Sequence, residues 1–176
     1  MDSSRGLPRR SLLNFGAAAV TAAGLVSDRA IAQAPSASHE ASSEAPKLEF
    51  LMEVAFDIGG AHSVGDRTTV AVTGGKFEGP KLKGTVLTPG GDWLVRRPDG
   101  GSVLDVRATL QTDDQQFIYM SYRGIMFTPK GGTQYWRTIP MFVTGAEKYA
   151  WLNHIVSVGT GIPTPGKAVY RVFEVL

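Results

Sequence analysis

The chain has 176 residues, of which 18 are Lys or Arg and 16 are Asp or Glu, and it contains no cysteine. The absence of cysteine excludes disulfides, thiol catalysis and Cys metal sites. Four of the basic and two of the acidic residues lie in the first 32 positions, so the remainder is formally neutral. A neutral domain without a basic run attracts nucleic acid weakly, and we expect no nucleic-acid partner.

Residues 1–32 have the pattern of an export signal. Arg9 and Arg10 precede a weakly hydrophobic run, residues 12–26, and a small-residue site follows at residues 30–32. The run is shorter than the roughly 20 apolar residues of a spanning helix, so we expect cleavage after about Ala32 and no stable membrane anchor afterwards. The paired arginines are typical of twin-arginine export, with general secretion or an uncleaved anchor as alternatives. The expected location is the bacterial periplasm or the exterior.

Residues 33–46 consist of Ala, Ser, Pro and Glu without periodicity, apart from one Gln and one His, and predict a flexible linker. Residues 47–176 then have the size of one domain. From Lys47 onward no helical period is evident, and turn residues recur at short intervals. The first segment, KLEFLMEVAF, alternates apolar residues with Lys47, Glu49 and Glu53, which predicts a strand with one buried face.

Further strands are predicted along the whole domain. A Pro98-Asp99-Gly100-Gly101 sequence has the residues of a hairpin turn. The strand after it places Leu104 and Val106 on one face and Asp105 and Arg107 on the other. The remaining predicted strands are TTVAVTGGKFEG, KLKGTVLTPGG, DWLVRRPDGG, QFIYMSYRGIMF, YWRTIPMF, AWLNHIVSVG and AVYRVFEVL.

Eight to ten short consecutive strands favour an all-β domain. We predict a single antiparallel up-and-down β-barrel of lipocalin type, with a β-sandwich as the alternative. Several strands carry bulky residues on both faces, which suits a barrel with a lined interior. A barrel of about eight strands can enclose one small ligand.

Several segments together resemble a known family. They are TGGKFEGPKLKGTVLTPGGDW (73–93), LDVRATLQTDD (104–114), IYMSYRG (118–124), FVTGAEKYAWLN (142–153) and VYRVFEVL at the end. In this order they resemble the bacterial and fungal family called domain of unknown function 3237. The resemblance implies a single small antiparallel β-barrel and says little about function. One departure is Gln115, where the family's acidic turn usually has Gly.

Polar residues on the predicted strands are candidates for a site inside the barrel. We predict Asp105, Arg107 and Tyr119 as catalytic residues, because a buried Asp or Tyr can exchange a proton while Arg stabilises an oxyanion. The candidate ligand-binding residues are Asp92, Arg123, Arg137, Trp151 and Asn153. The structural alternatives remain open: Asp105 and Arg107 as a cross-strand charge pair, Trp151 as core, and Asn153 as a tie between loops.

The strand around residues 149–159 is expected to turn Trp151 and Asn153 inward and His154 outward. His62 and His154 stand alone without ligand spacing, so no metal site is expected, and no cofactor motif is present. The leading hypothesis is a cofactor-free lyase, isomerase or hydratase acting on a small oxygenated organic molecule. The alternative is a binding or carrier barrel without catalysis, and a third is an assembly role. The oligomeric state is left open.

Overall fold

A computed structural model describes residues 45–176, which form a closed antiparallel β-barrel. Its strands are β1 (Leu48–Val64), β2 (Arg67–Glu78), β3 (Lys83–Arg96), β4 (Ser102–Thr112), β5 (Phe117–Phe127), β6 (Tyr135–Val143), β7 (Ser157–Thr164) and β8 (Lys167–Val175). Each strand pairs with the next, and β8 pairs with β1. The predicted up-and-down barrel is confirmed, with eight strands.

The predicted export signal and the linker up to residue 44 lie outside the described residues. Within residues 45–176, no helix is both long enough and apolar enough to cross a membrane.

Side-chain alternation on each strand decides what fills the barrel. On β4, the side chains of Leu104, Val106, Ala108 and Leu110 are buried, and the residues between them are exposed or half-buried. Successive side chains of a strand point to opposite faces, so the apolar set lines the interior and the intervening polar set lies outside. The other strands follow the same rule, and the interior is a packed apolar core.

The glycine pair in TGGKFEG marks a bend in β2. The pairing of β2 with β3 is interrupted between Val72 and Lys76, and Gly74 and Gly75 lie in that gap. Gly75 has a φ of 145°, and a Cβ there would lie 2.2 Å from the carbonyl oxygen of Ala55. Glycine is therefore required at this position. Bulges of this kind provide the strand curvature that barrel closure needs.

The chain between β6 and β7 corrects the strand predicted over residues 149–159. Residues Glu147–His154 form a 3₁₀ helix, which we call the cap helix, and β7 begins at Ser157. The chain must cross the end of the barrel here to reach β7. Tyr149 and Leu152 are buried and three residues apart, which is the repeat of a 3₁₀ helix. The cap helix thus covers one end of the barrel, while four two-strand hairpins form the other, the hairpin end.

The acidic turn between β4 and β5 holds the cap helix in place. Asp114 accepts hydrogen bonds from Lys148 Nζ at 2.6 Å and from Tyr149 Oη at 2.9 Å, as well as from the Thr112 hydroxyl. The hydrogen bond from Lys148, followed by the one from Thr112, keeps the pKa of Asp114 well below its usual value. Gln115 takes the left-handed φ of 64° that Gly would favour, so the turn exists without Gly.

Replacing Leu152 by Ala tests whether the cap helix is part of the core. Leu152 is 1% exposed, and its truncation is expected to lower the free energy of unfolding by about 2–5 kcal/mol because a cavity remains. The measurement is urea or guanidinium unfolding. Val156→Ala, at a residue just after the cap helix that is 55% exposed, is the matched control and should change stability by about 0.5 kcal/mol or less. Equal effects of the two substitutions would contradict a packed cap.

Candidate functional site

A cavity of about 140 Å³ lies inside the barrel toward the hairpin end. Since roughly 10–15 Å³ of such volume holds one water molecule, the cavity has room for a small organic molecule. Its wall is almost entirely apolar and aromatic, and it includes Phe56, Val72, Leu94, Leu104, Val106 and Met126. Four polar-tipped side chains also line it: Asp92, Tyr122, Trp136 and Tyr170.

Asp92 brings a carboxyl group to this apolar cavity. On β3 its side chain points to the same, inward face as that of Leu94. Trp93 between them points outward, and the Arg107 guanidinium lies 5.2 Å from the centre of its ring. The Oδ1 atom of Asp92 accepts a hydrogen bond from the backbone N–H of Asp105 at 3.0 Å. The pKa of Asp92 is raised from 3.8 to about 6, mainly by burial. The backbone hydrogen bond from Asp105 lowers this pKa in part, and the negative charge of Asp105 raises it further.

Three aromatic rings surround the polar end of the cavity. The ring centroids of Tyr122 and Tyr170 are 5.2 Å apart, and those of Tyr170 and Trp136 are 5.0 Å apart, both edge to face. Phe56 packs against both tyrosines. Burial raises the pKa of Tyr122 and of Tyr170 above the ordinary tyrosine value of 10. Both phenols therefore stay protonated at neutral pH, and the interaction between their hydroxyls engages the Tyr122 O–H and leaves the Tyr170 O–H able to donate.

Trp136 offers a further hydrogen-bond donor. A Cβ at Gly161 would lie 2.1 Å from the indole ring of Trp136, so β7 makes room for this ring by having no side chain there. The Nε1 atom is buried beside Tyr170, close enough to the phenol to oppose the rise in the pKa of Tyr170, but it makes no hydrogen bond of good geometry with any described residue. An unsatisfied buried donor costs about 1–3 kcal/mol. Such a cost is common at sites that receive a polar ligand atom.

The arrangement of Asp92 in an apolar cavity suits proton transfer by the carboxyl group itself. A carboxyl group with a pKa near 6 is partly protonated near neutral pH and can act as an acid or, once ionised, as a base. The aromatic faces around it can stabilise a developing positive charge. Among residues 45–176, no group of three or more His, Asp or Glu side chains is arranged to hold a metal ion.

The structure places the predicted catalytic residues on the outside of the barrel, which corrects the prediction that they face the interior. Arg107 and Asp105 form an ion pair at 3.3 Å on the outer face of β4, and Tyr119 is 42% exposed on β5. With Arg123 they line an open surface groove of about 360 Å³. The reason is alternation, because Leu104 and Val106 occupy the inward positions of β4.

The other candidate ligand-binding residues, apart from Asp92, also lie away from the cavity. Arg137 lies on the outer face of β6, with its guanidinium carbon 5.0 Å from the centre of the Tyr135 ring. Trp151 is half-buried against the core from the cap helix, with Lys81 Nζ 5.3 Å from its ring centre. His154 is exposed at the end of the same helix.

Asn153 ties two segments together. Its Oδ1 accepts from the backbone N–H of Thr144 at 2.8 Å, and its Nδ2 donates to the carbonyl of the same residue at 3.0 Å. The prediction that Trp151 and Asn153 share an inward strand face was wrong, because both belong to the cap helix. The alternative in which Asn153 joins loops describes its observed contacts.

Sequence reasoning missed Tyr122, Trp136 and Tyr170, although a signal for the first was present. Tyr122 continues the period-two series of Ile118 and Met120, so it belongs to the apolar face of β5. Tyr119 and Arg123, the polar candidates on the same strand, belong instead to its outward series. Aromatic residues in phase with the core were the better guide to the cavity wall.

Comparison with known proteins agrees with this barrel. UPF0311 protein RPA1785 from Rhodopseudomonas palustris is 30% identical over 151 residues, which cover 74% of this chain and 99% of the relative. A crystal structure of a β-barrel like protein from Acinetobacter baumannii superposes with a TM-score of 0.72 at 28% identity, covering 75% of this chain and 97% of that one.

One relative has an enzymatic name. The hydroalkoxylation enzyme phnH from Penicillium herquei is 31% identical over 122 residues, which cover 65% of this chain and 74% of the relative. A crystal structure of an enzyme from Penicillium herquei superposes with a TM-score of 0.62 at 26% identity, covering 74% of this chain and 95% of that one. A family model described as protein of unknown function (DUF3237) matches residues 46–175. The chain therefore belongs to the DUF3237 family.

Proposed function

We propose that the protein is a cofactor-free acid–base enzyme whose substrate is a small, largely apolar, oxygenated molecule. It adds the O–H of an alcohol or phenol across a carbon–carbon double bond, which forms one C–O and one C–H bond. The observation that carries this proposal is the carboxyl group of Asp92 in an apolar, aromatic cavity. The name of the Penicillium relative, a hydroalkoxylation enzyme, supports the same type of reaction. When the hydroxyl and the double bond belong to one molecule, the reaction is an isomerisation.

The reaction needs one proton donor and acceptor, and Asp92 serves as both. The protonated carboxyl gives its proton to one alkene carbon, and the π electrons form the new C–H bond. The substrate hydroxyl oxygen then forms a C–O bond to the neighbouring, positively charged carbon. Its proton passes to the Asp92 carboxylate, which restores the acid. Atoms and electrons balance without an oxidant or a reductant.

The surrounding side chains lower the barrier of this reaction in two ways. The faces of Tyr122, Tyr170 and Trp136 stabilise the positively charged carbon by cation–π interaction. The buried phenol and indole donors bind the substrate oxygen and orient it toward that carbon. An apolar wall excludes water that would otherwise add in place of the substrate hydroxyl.

The protonation of Asp92 can be tested through stability, without a substrate. Because the pKa of Asp92 is raised from 3.8 to about 6 in the folded protein, the native state binds the proton more tightly, and stability falls as the pH rises through this range. Asp92→Asn removes this loss. The free energy of unfolding of the variant minus that of the wild type should be about 2–3 kcal/mol larger at pH 8 than at pH 4. Denaturant unfolding at the two pH values measures this difference.

Asp66→Asn is the control for this measurement, because the Asp66 side chain is 63% exposed at a hairpin tip. Because the side chain is exposed, its effect on stability should stay within about 0.5 kcal/mol at both pH values. If Asp92→Asn also has the same effect at pH 4 and pH 8, Asp92 is not held in its neutral form by the fold.

Catalysis can be tested with 2-(2-methylallyl)phenol, which cyclises to 2,2-dimethyl-2,3-dihydrobenzofuran when the phenol adds to the alkene. We expect kcat/KM of the wild type to fall above about pH 6, where Asp92 ionises. Asp92→Asn should lower kcat by roughly 10²–10⁴-fold while binding of the probe, followed by Trp fluorescence, changes little. Asp66→Asn, at the exposed hairpin tip, is the control and should retain activity within about twofold.

The outcomes also separate the enzyme from a carrier barrel, which the almost wholly apolar wall favours as the second candidate. A wild type that binds the probe without turnover would support a carrier. Loss of activity in Asp105→Asn but not in Asp92→Asn would move the reaction to the outer groove of β4 and β5.

A further inference from the structure

The cavity brings together one carboxyl group and a cluster of hydrogen-bond donors from other strands. Asp92 comes from β3, whereas Tyr122, Trp136 and Tyr170 come from β5, β6 and β8. Besides burial, which is the main cause, the negative charge of Asp92 raises the pKa of both tyrosines, so the carboxylate and the two hydroxyls are within electrostatic reach of each other. A base and a donor that line one cavity can act on two atoms of the same small molecule.

The Tyr170 hydroxyl is the donor that this cluster leaves available. The interaction between the two phenols engages the Tyr122 O–H with the Tyr170 oxygen as acceptor, and the Trp136 indole N–H lies close to the same oxygen. Both interactions use Tyr170 as the acceptor, which leaves its hydrogen for a molecule in the cavity. Two donors that share one oxygen also polarise its O–H bond, so this bond donates more strongly than that of an isolated phenol.

Packing holds the Tyr170 hydroxyl in a fixed position. Tyr170 is 2% exposed, and its ring packs edge to face on both Tyr122 and Trp136, with centroids 5.2 Å and 5.0 Å apart. Gly161 is paired in register with Tyr170 and leaves the space that the Trp136 ring occupies. A donor that is oriented before the reaction stabilises a developing oxyanion without reorganisation. The cavity therefore has the two elements of an enolising site, a buried base and a fixed oxyanion donor.

We propose that the cavity has a second activity, the isomerisation of small β,γ-unsaturated ketones to their conjugated α,β-unsaturated isomers. Asp92 is the base that carries the proton, and Tyr170 donates to the ketone oxygen. An apolar cavity of about 150 Å³ binds benzene, so the cavity of about 140 Å³ has room for one six-membered ring. The activity uses the same cavity as the proposed addition, but it needs the ionised carboxylate rather than the neutral acid.

One proton moves during this reaction. The Asp92 carboxylate removes it from the α carbon, which lies between the carbonyl group and the alkene. The C–H electron pair forms a carbon–carbon double bond, and the carbonyl π pair moves to the oxygen. Tyr170 stabilises this dienolate oxygen by hydrogen bonding. The protonated Asp92 then returns the proton to the γ carbon while the carbonyl group re-forms, so atoms and electrons balance without an oxidant or a reductant.

Cyclohex-3-en-1-one is the probe, and the ultraviolet absorbance of its conjugated product measures turnover by the full chain. We expect the wild type to exceed the rate in buffer, and Asp92→Asn to lower kcat by roughly 10²–10⁴-fold. Tyr170→Phe, which removes only the donor, should lower kcat by roughly 10²–10³-fold with little change in KM. Tyr149→Phe is the matched control, because it removes a buried phenol hydroxyl of the cap helix that donates to Asp114 outside the cavity. It should retain kcat within about twofold.

The pH profile separates this activity from the proposed addition. Burial raises the pKa of Asp92 to about 6, and the base must be ionised, so kcat/KM for the ketone should rise as the pH increases through about 6, whereas that of the addition should fall. Tyr122 and Tyr170 face Asp92 and stay protonated over this range. Asp105, which pairs with Arg107 on the outer face, adds a negative charge that raises the pKa of Asp92 further. Asp105→Asn should therefore move the midpoint of the profile to lower pH.

A wild type that converts the ketone no faster than buffer would overturn the second activity, and so would equal losses in Tyr170→Phe and Tyr149→Phe. Circular dichroism checks that each variant is folded. Cyclisation of 2-(2-methylallyl)phenol without isomerisation of the ketone would overturn this inference and leave the proposed function intact. Isomerisation without cyclisation would support it and count against the proposed function alone.

Discussion

The interior of an eight-stranded barrel is a small volume that all strands share, and side-chain alternation decides what enters it. Every residue that one strand turns inward must fit those of seven others, so most inward positions carry apolar groups. The polar residues of the same strands are thereby directed outward. The core, the cavity and the surface of this protein all follow from which of the two alternating series of side chains each strand directs into the barrel.

Asp92 is the exception that gives the interior its chemistry. It occupies an inward position between the glycine pair of β3 and Leu94, and its pKa is raised mainly because burying a carboxylate there is costly. The buried indole N–H of Trp136, which makes no hydrogen bond of good geometry with the described residues, is a second local cost. Two unfavourable features side by side in one cavity are expected where function opposes stability.

The same alternation connects the cavity with the outer surface of the barrel. Met126 on β5 and Trp136 on β6 line the cavity from inside, while Ile125 and Tyr135 next to them lie on the outer surface. One stretch of each strand therefore shapes both the cavity wall and the surface.

Sequence periodicity was a good guide to the fold and a poor one to the site. The strands, their order and the turns follow from apolar alternation and Gly and Pro positions, which are local properties. The apolar residues Leu104 and Val106 predict the inward face of β4, whereas the site prediction rests on the chemistry of Asp105 on the opposite face. The cap helix was missed because its eight residues, Glu147–His154, are too few to show a helical period in the sequence.

The sequence by itself determined an all-β domain over residues 47–176, an up-and-down strand order and membership of a barrel family. The tertiary structure alone decided that Asp92 on β3 meets Tyr122, Trp136 and Tyr170, which come from three other strands. That meeting depends on strand stagger and on bulges such as the one at Gly75. Alternation along one strand carries no information about the stagger between strands, because stagger is set when the barrel closes.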